Sequence, residues 1–212
     1  MTDLRRLRWR RSFAGTVEDM GREPRPIVPG GIFHVTSRGN DGQPIYLDDH
    51  DRAAKLAILD RVVRRFGLVV LTYCEMTNHD HWIFQDVFGR LSDAMQALNT
   101  AYSRRTNRRY GRTGHLIRNR FDARLIETEA HLLQACRYVV LNPVRAGMRA
   151  TPQGWPWSSY RALAGLEHPP AFLTGSELLR LFSPRPEVAR REFRPYVRQG
   201  LVPVSDTEPA DP

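Results

Sequence analysis

Two strand-like runs separated by only two turn residues constrain this chain most. They are Leu68 to Met76 (LVVLTYCEM) and His79 to Gln85 (HDHWIFQ), with Thr77-Asn78 between them. A connection that short can join only antiparallel neighbours, so the pair reads as a β-hairpin. The flanking segments then fall into order. Gly31 to Ser37 (GIFHVTS) reads as a strand, closed by the turn-rich Arg38-Gly39-Asn40-Asp41-Gly42. Asp48-Asp49 caps a helix with Leu56, Leu59, Val62 and Val63 at helical spacing, ending near Phe66 where Gly67 stops it. A second helix runs from about Leu91 to Arg109 with Met95, Leu98, Ala101 and Tyr102 as its apolar face. Phe121 to Glu127 (FDARLIE) reads as a fourth strand. Thr128 caps a third helix to about Leu141, which Asn142-Pro143 should end.

The order β-α-β-β-α-β is the split unit of ferredoxin-like folds, with one helix added. The expected class is therefore α+β, an antiparallel sheet with helices. The chain divides into a basic N-terminal arm at 1–29, a principal domain at 30–150, a helical C-terminal extension at 151–202 and a disordered tail at 203–212. The extension holds a Trp155-Pro156-Trp157 turn, whose rings pack it onto the domain, and two or three short helices between Ser158 and Arg198.

A hydrophobic fraction of 41% supports a packed core, which argues against global disorder. No window approaches the ~18 uncharged apolar residues of a membrane span. The start MTDLRRLRWRR is basic with no apolar stretch after it, a reading against a secretory signal. Cys74 and Cys136 each sit in an apolar run and make no disulfide framework, as expected of buried thiols in a cytoplasmic protein. The net charge of +9 is carried almost entirely by arginine, whose fork matches phosphate oxygens. The same total could reflect a GC-rich coding sequence, so placement decides more than number.

The chemistry concentrates in Met76-Thr77-Asn78-His79-Asp80-His81-Trp82. Strand residues i and i+2 face one side about 7 Å apart. His79 and His81 therefore project together, as a pair able to ligate a divalent ion, while Asp80 points the other way. Alone, a His-x-His pair is equally consistent with core or surface histidines. In Tyr138-Val139-Val140-Leu141-Asn142-Pro143, the i, i+4 spacing puts Tyr138 and Asn142 on one helix face. A phenol can attack a phosphodiester and an amide oxygen can complete a metal shell. A core aromatic and a helix-ending Asn-Pro fit the same residues.

Five segments in one order, GIFHVTSRGN, YCEMTNHDHW, NRRYGRTGHLIRNRF, RYVVLNPVRAG and WPWSSYRA, resemble the REP-associated tyrosine transposases and their insertion-sequence relatives, a branch of the single-tyrosine HUH superfamily. The resemblance spans Gly31 to Gly165, roughly two thirds of the chain. It implies that 30–150 is a catalytic domain with His79, His81 and Asn142 as ligands to Mg²⁺ or Mn²⁺ and Tyr138 as nucleophile. The added helix would carry that tyrosine. The implied activity is cutting and rejoining single-stranded or hairpin DNA through a 5′-phosphotyrosine, without another small-molecule cofactor. The resemblance also favours a monomer over a homodimer. The sequence departs from the family at Asp80, where an apolar residue is usual, and at Thr77, where proline is usual. An arginine is one candidate partner for Asp80. That residue also motivates an alternative, a catalytically inactive DNA-binding protein of the same fold. A third reading is a hydrolytic metalloenzyme using His79 and His81 with Glu75 or His115, for which no third ligand stands at a fixed spacing.

Arg104, Arg105, Arg108, Arg109, Arg112, Arg118 and Arg120, with His115, form a basic stretch interleaved with Tyr102, Tyr110 and Phe121. Arginines for phosphates and aromatics for stacking suit a single strand, although a solvated helix end has the same composition. With the resemblance, this loop is the expected DNA-binding segment. Arg5, Arg6, Arg8, Arg10 and Arg11 make a second basic patch. Arg38, beside Gly39 and Asn40, is placed either to approach DNA or simply to end a strand.

Overall fold

The computed structural model describes residues 27–118 and 120–201. The arginines of the N-terminal arm and the expected disordered tail lie outside the described residues. Strands β1 (Gly31–Arg38), β2 (Leu68–Glu75), β3 (His79–Asp86) and β4 (Asp122–Ile126) form one sheet. Helices α1 (Asp49–Phe66) and α2 (Leu91–Tyr110) make the two crossovers. Helix α3 (Glu129–Arg145) follows β4, and α4 (Tyr160–Leu163), α5 (Gly175–Leu179) and α6 (Pro186–Gln199) form the extension. The sheet order is β2-β3-β1-β4, antiparallel throughout. Each crossover leaves a gap one strand wide: β3 fills the gap between β1 and β2, and β1 fills the gap between β3 and β4. This is the ferredoxin-like arrangement expected from the element order.

Strand alternation gives the sheet two different faces. On one, Phe33, Val35, Trp82 and Phe84 pack with Leu59 and Val63 of α1 and Met95 and Leu98 of α2. On the other, Ile32, Cys74, Ile83 and Ile126 pack with Leu132, Cys136, Val139 and Val140 of α3. The two crossover helices and the added helix thus lie on opposite sides.

Local chemistry sets most element ends. The Asp48 carboxylate accepts from Asp51 N at 3.0 Å to cap α1, and Gly67 closes that helix at φ 70°. Thr128 Oγ1 accepts from His131 N at 3.1 Å to cap α3. Asp86, at the end of β3, accepts from Arg90 N at 2.8 Å and Leu91 N at 2.9 Å, so a strand residue starts α2. The helix containing Tyr138 does not stop at Asn142-Pro143. It continues to Arg145 with Pro143 inside it. Proline removes one donor there, in the final turn, where little helix remains to be disrupted.

The extension protects a sheet edge. Glu75 N donates to Trp157 O at 2.8 Å, Ser159 N to Tyr73 O at 3.0 Å and Thr174 N to Val70 O at 2.8 Å, pairing the outer side of β2. Trp155 is buried and its Nε1 donates to Glu75 O at 2.9 Å, which fits the packing role expected for it. Ala189, Phe193 and Val197 of α6 enter the same apolar cluster as Val139 and Val140 of α3.

Candidate active site

Register brings the histidines together with a third imidazole. Thr36 pairs with His81 and Arg38 with His79, so His34, Thr36 and Arg38 of β1 share a face with both. Helix α3 crosses that face, and a cleft of about 750 Å³ opens between them. His34, Thr36, Arg38, His79 and His81 line its sheet side. His131, Gln134, Arg137, Tyr138 and Arg145 line the helix side, with Arg124 from β4. The rings of His79 and His81 meet edge-on at 4.9 Å between centroids. The Tyr138 ring lies 5.6 Å from His81 and 6.0 Å from His34, again edge-on. The Arg145 guanidinium sits over the Tyr138 ring, 5.3 Å from its centroid.

Three of the four expected chemical residues, His79, His81 and Tyr138, therefore converge. Asn142 does not join them. Its Nδ2 donates to Tyr138 O at 3.1 Å, one turn back along α3, and its side chain is not among those lining the cleft.

Burial disfavours the charged form of both histidines. Burial, assisted by Arg38, lowers the pKa of His79. Burial, with His34, His79 and Arg38 adding to it, holds His81 well below the usual imidazole range. His79 Nδ1 lies 2.7 Å from Asn78 Oδ1. That oxygen can only accept, which places the proton on Nδ1 and the lone pair on Nε2. His81 Nδ1 has His34 Nε2 at 3.0 Å and Thr36 Oγ1 at 3.2 Å, while its Nε2 is buried without any partner. An orphaned imidazole nitrogen beside a second neutral imidazole fits a divalent cation. Among the described residues no three His, Cys, Asp or Glu side chains gather into a metal-binding group.

The third ligand considered for a hydrolytic site is not here. Glu75 lies opposite Asp80 in the hairpin, on the far face of the sheet, and His115 is exposed in the α2–β4 loop.

Asp80 is fully buried beneath the site, and its partner is a lysine, not an arginine. Lys55 Nζ of α1 contacts Asp80 Oδ2 directly, Tyr46 Oη approaches the same oxygen at 3.0 Å, and Ser37 N donates to Oδ1 at 3.3 Å. Tyr46 Oη also lies 3.1 Å from Glu75 Oε1, yet it has one proton for two carboxyl groups. Burial pushes the Glu75 carboxyl well above its ordinary range. A protonated Glu75 can donate to Tyr46, and Tyr46 in turn to Asp80. The charge between the histidines thus stays out of the cleft.

The basic stretch divides into two kinds of residue. Arg109 is bound to Asp48 at 2.6 Å and to Asp51 at 2.7 Å, and Arg105 reaches Asp51 at 3.4 Å. These two clamp α2 to the start of α1, so their guanidinium groups are engaged within the protein. Arg104, Arg108, Arg118, Arg120 and His115 are exposed and Arg112 is half-buried. Buried Leu116 and Ile117 anchor the loop, and Arg118 N donates to Arg38 O at 2.8 Å, which brings the loop beside the Arg38 end of the cleft. Gly39 is explained by packing, since a Cβ there would stand 2.0 Å from Gln43 O.

Sequence reasoning missed His34, Thr36, Arg124, His131, Gln134, Arg137 and Arg145. The signals were a period of two in His34, Thr36 and Arg38, and a helical stripe through His131, Gln134, Tyr138 and Arg145.

No family model and no curated protein matches the sequence. Among solved structures, a REP-associated tyrosine transposase bound to a REP hairpin superposes with a TM-score of 0.60 at 16% identity, over 74% of this chain and 93% of that one. The tRNA(His) guanylyltransferase of Saccharomyces cerevisiae superposes with a TM-score of 0.42 at 9% identity, over 86% of this chain and 82% of that one. Over nearly the whole span of that neighbour, this chain has the fold of the REP-associated tyrosine transposase.

Proposed function

We propose that the protein is a metal-dependent single-stranded DNA endonuclease and strand transferase, with Tyr138 as nucleophile, acting at hairpin-flanked sites. One observation carries the reading: the Tyr138 ring meets His81 edge-on at 5.6 Å inside a cleft bordered by arginines. The partner rests on the same cleft and on the fold, which it shares with a transposase bound to a hairpin. His79 and His81 would hold Mg²⁺ or Mn²⁺, which supplies Lewis-acid polarisation of the scissile phosphate.

The residues have distinct tasks. Arg38 and Arg145 supply positive charge to a phosphate entering the cleft. The Tyr138 phenol, with a reference pKa near 10, loses its proton as its oxygen bonds to phosphorus. The P–O3′ bond breaks and the departing 3′ oxygen takes up a proton. The tyrosyl phosphate conserves the ester bond, so a later 3′-hydroxyl can displace Tyr138 and join strands without ATP. The inactive reading rested on Asp80, and Lys55 neutralises that charge on the opposite face.

The test is a labelled single-stranded hairpin incubated with protein and Mn²⁺. Wild type should give a covalent band and Tyr138→Phe none. An adduct that persists in Tyr138→Phe rules out this nucleophile. Hairpin binding by wild type without Mn²⁺ binding or adduct would favour the inactive form.

A further inference from the structure

We propose that His34 is the positioning residue for His81: it accepts the His81 Nδ1–H, fixes that tautomer and leaves the Nε2 lone pair bare. The inference deepens the proposed metal site and rests on it for its consequence, although the tautomer itself needs no metal.

A neutral imidazole carries one N–H, on one nitrogen or the other. Around His81 the two nitrogens have opposite surroundings. Nδ1 has His34 Nε2 at 3.0 Å and Thr36 Oγ1 at 3.2 Å, whereas Nε2 is buried with no partner. A proton on Nε2 would be stranded, while a proton on Nδ1 is received by His34 and leaves a bare lone pair for a cation. Ligating histidines generally need their second nitrogen held in this way to fix ring orientation and basicity.

His34 also does something Thr36 cannot. Its ring lies 5.2 Å from His81, tilted 31°, and 6.0 Å from Tyr138, edge-on. With the 5.6 Å contact between His81 and Tyr138, the three rings form a closed triangle. His34 therefore restrains a metal-ligating imidazole and the nucleophile at once.

The informative variants are His34→Phe, which keeps a ring against Tyr138 but removes the acceptor, and His34→Gln, whose amide oxygen can accept again. In metal-free wild type, ¹⁵N-detected histidine spectra should give a pyrrole-like His81 Nδ1 and a pyridine-like Nε2. His34→Phe should mix the tautomers and weaken Mn²⁺ binding, followed by EPR, by about 10–100-fold. His34→Gln should return both towards wild type, with melting curves showing that each variant is folded. An Nε2–H tautomer in wild type overturns the inference without any variant. So does His34→Phe with an unchanged tautomer and Mn²⁺ affinity. Wild type that binds no Mn²⁺ but carries the His34-dependent Nδ1–H tautomer upholds the positioning and overturns the metal-dependent nuclease reading instead.

Discussion

Replacing Lys55 with methionine tests how the strand bearing both histidines is held. Lys55 and Asp80 have fully buried side chains in direct contact, and Asp80 retains only Tyr46 Oη and Ser37 N once the ammonium is gone. Removing one partner of a buried pair leaves an uncompensated charge and costs about 3–5 kcal/mol. For a chain of this size each kcal/mol lowers Tm by roughly 2–4 °C, so Lys55→Met should melt roughly 6–20 °C below wild type. Lys55→Met with Asp80→Leu removes both charges and should recover most of that loss. The remainder reflects Ser37 N left without its side-chain acceptor, ~1 kcal/mol at most sites, while Tyr46 Oη keeps Glu75 Oε1. Calorimetric melts of wild type, both single variants and the double variant give the coupling energy directly. A Lys55→Met melt within about 2 °C of wild type would show that the buried pair does not hold Asp80, and the reasoning would fail.

Two further predictions follow from the same network and from the cleft. The Glu75 pKa is raised in the folded chain, chiefly by burial, so the folded state keeps a proton that the unfolded chain releases. Its stabilising contribution is complete below the unfolded pKa near 4.5 and is lost as pH rises towards the folded value. Glu75→Gln should therefore raise Tm relative to wild type at pH 8 and lose that advantage at pH 4, read by melts across that range. Arg38 and Arg145 line the cleft while Arg109 is held by Asp48 and Asp51. Arg38→Ala or Arg145→Ala should weaken hairpin binding and reduce the salt slope by about 0.7 per lost phosphate contact. Arg109→Ala should lower Tm and leave the slope unchanged, and equal slopes in all three variants would remove the distinction.

The legible parts of the molecule were those with a local cause. The hairpin, the caps at Asp48 and Thr128 and the alternation of His79, Asp80 and His81 follow from spacing alone, and the structure contains them. Pro143 misled because a proline in the last turn of a helix breaks so little. The ion pairs of Arg105 and Arg109 were not legible because their partners, Asp48 and Asp51, arrive only when α1 and α2 pack together. His34 could not be weighed until β1 was known to lie beside β3. The lysine opposite Asp80 comes from a helix earlier in the chain, and no count of charges along the sequence selects it over the more numerous arginines.

Placement of Tyr138 depends on more than the sheet. Helix α3 buries Val139 and Val140 in a cluster that also takes Phe193 and Val197 of α6, and the Arg137 guanidinium lies over the Tyr196 ring at 4.8 Å. The extension therefore backs the helix that carries Tyr138, while His34 and His81 meet the tyrosine ring from the front. Each of these residues belongs to one chain, so the three rings converge without a second copy. A helix held on both sides has little freedom to swing, and the separation between phenol and imidazoles is a property of the packed core rather than of a loop. By that argument the C-terminal extension is part of the site's construction, although none of its side chains lines the cleft.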